Sequence, residues 1–157
     1  MSDLLSDGNI KLSWLPAVSN IHAPTVAELN AGTSLEQYMT PDGYKNQPGT
    51  KAIDTSSLAS KFDTSAAGRR SFDISLMFKR QTGTDAIYNM LVYQATGYLA
   101  VRRNLDRTTA WASGQAVEIY PSQCGQREQS SPAPNEVQKF TAPLFLTADP
   151  DDAAVVA

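Results

Sequence analysis

The chain has 157 residues, 41% of them hydrophobic and 18% charged, with a net charge of -3. That length holds a single domain whose core needs no metal or disulfide, and one cysteine, Cys124, excludes an intrachain disulfide. The acidic total argues against a general nucleic-acid binder, which carries a marked basic excess. The charge fraction is below the ~25% of an average domain, as expected where identical subunits cover part of the surface.

The start, "MSDLLSDGNIK", lacks the basic opening and apolar core of a signal peptide. No apolar run approaches the ~20 residues that span a bilayer. The expectation is a protein made and used without crossing a membrane by the usual route.

Residues 1–9 are polar and read as a flexible N-terminal arm. In "NIKLSWLPAV", Ile10, Leu12 and Trp14 alternate with Lys11 and Ser13, which predicts a half-buried strand that Pro16 ends or places at an edge. Pro24 and Thr25 start a short helix with Val26 and Leu29 on one face, and Asn30-Ala31-Gly32 stops it. "SLEQYM" adds a further turn, and Pro41-Asp42-Gly43 is a strong turn signal.

A weak strand is expected from Thr50 to Ser56, followed by a long polar loop around residues 57–70. Loops of that length in compact domains are functional or ordered by a partner. Phe72, Ile74, Leu76 and Phe78 then alternate with Asp73, Ser75, Met77 and Lys79, which predicts a strand with one apolar face. Burying each apolar member contributes ~1.5–3 kcal/mol, whereas an exposed arginine ion pair contributes ~0–1 kcal/mol. The strand therefore does not depend on the flanking Arg69, Arg70 and Arg80.

"GTDAIYNMLVYQATG" predicts the main helix, capped by Thr84, lined by Ile87, Met90, Leu91 and Gln94, and ended by Gly97. Strands follow in "YLAVRRN", "QAVEIYPSQ" and "VQKFTAPLFLTA", the last two joined by a Ser/Pro-rich turn. Residues 149–157 read as a flexible acidic tail, leaving residues 10–148 as the single folded domain. The sum is a mainly β chain, an antiparallel β-sandwich or barrel with one flanking α-helix.

Charge is unevenly placed. Residues 69–107 hold seven basic side chains against three acidic, with acidic excess on either side. Such blocks complement one another within a subunit or between copies.

No catalytic signature is present. His22 stands in a loop with no carboxylate or serine at motif spacing, and reads as an ordinary loop residue rather than a base. Cys124 has no basic neighbour in sequence and reads as a small core residue. The glycines form no phosphate-cradling loop, and "DPDD" alone is a solvated acidic run rather than a metal site. Neither a recognition helix nor a basic-aromatic stacking platform accompanies the arginine pairs. Arg69, Arg70, Lys79, Arg80, Arg102 and Arg103 are therefore expected at a subunit interface rather than on DNA.

Four segments, "WLPAVSNIHAPTVAELNAGTSLEQYM", "DTSAAGRRSFDISLMFKR", "TDAIYNMLVYQATGYLAVRR" and "FTAPLFLTADP", resemble in order the major tail tube proteins of long-tailed, non-contractile bacteriophages, those of actinobacterial hosts in particular. The resemblance covers nearly the whole chain. It implies a structural virion protein with no enzymatic activity, cofactor or metal. Subunits would form hexameric rings, assembled in the host cytoplasm, whose strands join into an inner β-barrel. The rings would stack into a tube and meet tape measure, terminator and distal tail proteins. Double-stranded DNA would cross the lumen without specific binding. The alternatives are a tail terminator or head–tail connector ring, a monomeric β-sandwich module binding carbohydrate or protein, and a small hydrolase.

Overall fold

The computed structural model describes residues 1–157 and contains nine strands. They are β1 (Lys11–Leu15), β2 (Thr33–Ser34), β3 (Met39–Asp54), β4 (Ser65–Lys79), β5 (Thr96–Arg102), β6 (Ala116–Cys124), β7 (Glu128–Gln129), β8 (Lys139–Leu146) and β9 (Asp151–Val155). All pairings are antiparallel. The order is β2-β1-β5-β6-β8-β4-β3, with β7 on β8 and β9 on β6. Helix is confined to α1 (Val26–Asn30), α2 (Ala86–Met90) and a 3-10 turn at Glu36–Tyr38.

The alternation in β4 builds the main core. Ile74, Leu76 and Phe78 are fully buried, and they share one cluster with Leu12 and Trp14 of β1, Leu99 and Val101 of β5, and Phe140 and Leu144 of β8. The sheet therefore folds over so that its two halves pack face to face, as a sandwich does. Phe78 stacks on Phe140 with ring centroids 5.3 Å apart, and Phe72 meets the edge of Tyr120 at 5.8 Å.

A second core lies on the other side of β1, β5 and β6. There Leu15, Ala100, Val117 and Ile119 pack with Leu29 of α1, Trp111, Ala154 and Val156. This half of the sheet is covered on both faces, so β1 is buried from Leu12 to Leu15 rather than on one face alone. The opposite half, β3-β4-β8, has only one covered face.

Four expectations are corrected. The main helix shrinks to the five residues of α2, capped by Asp85 rather than Thr84, with Asp85 accepting from the Tyr88 N–H. Beyond it the backbone joins the sheet: Gln94 adopts φ 66°, its N–H donates to Cys124 O at 2.9 Å, and the Cys124 N–H donates to Ala95 O at 2.8 Å. Val92, Tyr93 and Thr96 are weak helix formers, so pairing with β6 prevails. Gly97 is no helix stop. A Cβ there would lie 2.7 Å from the Trp14 indole, and only glycine lets β5 pass so close.

Pro41-Asp42-Gly43 is not a chain reversal but an irregularity inside β3, where the register against β4 shifts between Met39↔Phe78 and Tyr44↔Leu76. The weak strand at Thr50–Ser56 is the outer part of β3, and the loop around residues 57–70 is shorter than expected. Ser65 to Arg70 belong to β4, paired with β3. The acidic tail is also ordered. Its residues Asp151–Val155 form β9, which continues along the edge of β6 where β8 leaves it, and Ala154 and Val156 are buried.

Candidate assembly interface

Strand β4 pairs with β8 only from Ile74 to Lys79. Its earlier residues, Ser65–Asp73, pair with β3 alone. Phe72 still packs on the main core, so Ser65–Ser71 carries a two-stranded ribbon about 23 Å past the sheet at ~3.3 Å per residue. Gln47–Thr55 and Ser57–Ala67 are all exposed, so nothing in the subunit covers either face of the ribbon. Ile53, Leu58 and Phe62, at 53%, 106% and 82% exposure, give its outer end an apolar surface. A lone hairpin is marginal in water, and its unpaired backbone edges template further pairing.

The ribbon is also electropositive. Residues 45–71 carry five of the 13 basic side chains, Lys45, Lys51, Lys61, Arg69 and Arg70, but two of the 16 acidic ones, Asp54 and Asp63. A bulge near Gly68 twists it: Thr50 faces Arg70, yet Ala52 faces Ala67. A Cβ at Gly68 would lie 2.7 Å from Lys51 O. At the root of the ribbon, where β4 parts from β8, opens a crevice of about 700 Å³.

The six basic residues singled out from the sequence do not act together. Arg69 and Arg70 are exposed, and neither has a hydrogen-bonded or ionic partner in the chain. They line the crevice. Lys79 is half-buried at the other end of β4, directly opposite Lys139 of β8. Arg80 is committed internally: its Nε donates to Asp85 at 2.8 Å, and its guanidinium lies 3.7 Å from the Tyr88 ring centroid.

Arg102 is a correction. It is fully buried within the subunit and unavailable to a neighbour. Its guanidinium donates to Asp106 O at 2.9 Å, Thr109 O at 2.8 Å and Gln115 Oε1 at 3.0 Å, and lies 4.9 Å from the Trp111 ring centroid. Burial lowers its pKa, partly opposed by Glu36. The residues after β5 wrap around it as a carbonyl cradle, which neither spacing nor composition announces. Arg103 pairs with Glu118, and that hydrogen bond raises the arginine pKa against the effect of burial.

The groups examined for chemistry stay structural. His22 Nδ1 lies 2.5 Å from Asp151 Oδ2, a partner far away in sequence. No hydroxyl or thiol is hydrogen-bonded to the imidazole, so no nucleophile completes a triad. Cys124 is buried, and burial pushes its thiol up to about 11, away from thiolate chemistry. No three His, Cys, Asp or Glu side chains converge to hold a metal. No helix is long and apolar enough to cross a membrane.

A family model described as phage tail tube protein matches residues 1–157. No curated protein matches the sequence. Among solved structures, the fold is similar to a chain in the cryo-EM structure of the anti-feeding prophage (AFP) baseplate, 6-fold symmetrised. The TM-score is 0.59 at 8% identity, over 96% of this chain and 95% of that one. The fold is thus a mainly antiparallel β-sheet with few helices, and the family is one of virion structural proteins rather than enzymes. With its whole length matched, the chain belongs to the phage tail tube protein family.

Proposed function

We propose that this chain is the major tail tube subunit of a siphophage, polymerising as stacked hexameric rings whose lumen conducts double-stranded DNA into the host. The observation that carries the reading is the β3–β4 ribbon, which leaves the sheet with both faces bare. A surface of that kind needs a neighbour, and the ribbon's positive charge suits the acidic remainder of another copy. A head-to-tail contact of this sort repeats without closing along the tube axis.

The uncovered face of β3-β4-β8 suits an inner wall. Its middle carries the uncharged Ser75, Met77, Thr141 and Pro143, with Lys45, Asp73, Lys79 and Lys139 around them. The uncharged middle offers a duplex no phosphate contact, and the lysines that could make one lie at its margin. Tape measure, terminator and distal tail proteins are the partners this role requires at the tube ends, and assembly in the host cytoplasm precedes incorporation into the virion.

Negative-stain electron microscopy of purified, concentrated protein tests the reading. Tubes or stacked rings are expected from the wild type, and their loss is expected when Ser57–Ser60 and the flanking ribbon are trimmed to a short turn. Isolated rings from the wild type would point to a terminator or connector, and a persistent monomer to a binding module.

A further inference from the structure

The last register pair of β4 and β8 sets Lys79 directly opposite Lys139. Their neighbours Phe78 and Phe140 point into the core, so strand alternation turns both lysines onto the uncovered face of β3-β4-β8. Side chains paired in this way start about 4.5–5.5 Å apart, and like charges so placed destabilise a sheet.

Nothing in the subunit relieves the pair, since neither lysine takes part in an ion pair. Asp7 and Glu36 share a cleft with Lys79, but Glu36 takes Arg107 at 3.5 Å and Asp7 pairs with no base. Glu128 of β7 stands opposite Thr141, diagonal to Lys139, and is likewise unpaired. Asp73 lies about 20 Å back along β4 at ~3.3 Å per residue. Two ammonium groups therefore stand side by side at one end of a face whose middle, Ser75, Met77, Thr141 and Pro143, is uncharged.

We infer that Lys79 and Lys139 together bind backbone phosphates of the duplex. The inference rests on the tube reading, in which this face is the inner wall. Each subunit then supplies one pair at the same height, and the symmetry of the ring closes the pairs into a belt. A duplex carries one negative charge per ~1.7 Å of axis, so phosphates face the belt at any axial register. The contact reads no bases and weakens with salt. It recurs once per ring, with uncharged wall between belts. This assigns Lys79 to the lumen instead of a contact between copies.

Tubes grown with a labelled linear duplex present, cleared of external DNA by nuclease and washed at stepped salt test this through the label they retain. Wild-type tubes should hold the duplex at low salt and release it steeply as salt rises. Lys79→Gln with Lys139→Gln should keep a thermal midpoint at or above wild type, because the repulsion is relieved, and should still form tubes. Those tubes should release the duplex at lower salt. The slope of log affinity on log salt should be shallower by about one unit for each lysine that meets a phosphate. Variant tubes that retain the duplex like wild type, or wild-type tubes that retain none at low salt, overturn the belt and leave the tube reading intact. So does an equal loss from the charge-matched Lys51→Gln with Lys61→Gln on the ribbon. A folded double variant that forms no tubes returns the two lysines to a contact between copies. If wild type forms no tubes, the tube reading falls, and gel-shift titration of the subunit with the same duplex decides the lysines. Binding that the double variant loses keeps them as a phosphate site, and equal or absent binding overturns that as well.

Discussion

The Arg80 guanidinium donates to the Asp85 carboxylate at 2.8 Å, and the two side chains are 27% and 7% exposed. This pair joins the end of β4 to the cap of α2, whose Ile87 and Leu91 seal the main core. Burial raises the pKa of Asp85, but hydrogen bonds from Arg80, the Gln81 N–H and the Tyr88 N–H outweigh it and hold the carboxyl below its ordinary value of 3.8.

Asp85→Asn keeps an N-cap acceptor and removes the charge, so it isolates the ion pair. A loss of about 1.5–3 kcal/mol is expected at neutral pH, the range for hydrogen bonds involving charged groups. Because the folded pKa lies below the unfolded one, the stabilisation is complete above pH 3.8 and fades as pH falls through the folded value. Urea unfolding of wild type and variant should therefore differ at pH 7 and converge in strong acid. A constant gap across that range would remove the carboxylate from the account.

Arg102→Met should damage the subunit itself. It fills similar volume yet leaves the Asp106 and Thr109 carbonyls and the Gln115 amide oxygen without the guanidinium, while Ala110 O keeps its bond from Gln115 Nε2. A loss of about 1.5–3 kcal/mol is expected, the range for a hydrogen bond to a charged group, because Asp106 and Thr109 lie at the surface where water replaces part of the lost donor. Chemical denaturation reads the loss directly. A stability equal to wild type, with assembly alone impaired, would return Arg102 to the interface.

The pair Arg69→Glu with Arg70→Glu should behave in the opposite way. Both side chains are exposed and unpartnered, so the folded monomer should keep its stability within about 0.5 kcal/mol. Polymerisation, followed by light scattering, should be lost. Normal tubes from this variant would show that the arginines hold no neighbour.

Gly97→Ala probes the close approach of β5 to the Trp14 indole. The added methyl would also lie 2.8 Å from Leu15 O, which is backbone and cannot swing aside. Overpacking of this kind costs about 1–3 kcal/mol. Thermal unfolding followed by tryptophan fluorescence should report both the lower midpoint and an altered indole environment.

The sequence by itself determined the strands that bury a face. Ile74, Leu76 and Phe78, like Phe140, Leu144 and Leu146, alternate because one side meets the core, and α1 shows its cap and stop residues openly. It could not reveal strands that bury little. The outer part of β3, with Pro48 and Gly49, pairs with β4 in open solvent, so no apolar period marks it and it resembles a loop. The fate of the charges was likewise a tertiary decision. Arg69, Arg70, Arg80, Arg102 and Arg103 look alike in a chain of letters, yet two project unpartnered beside a crevice, two pair with carboxylates and one is enclosed by carbonyls. Pattern in sequence records which side of a strand faces apolar neighbours, whereas the partner of a long charged side chain depends on groups brought close only when distant segments pack.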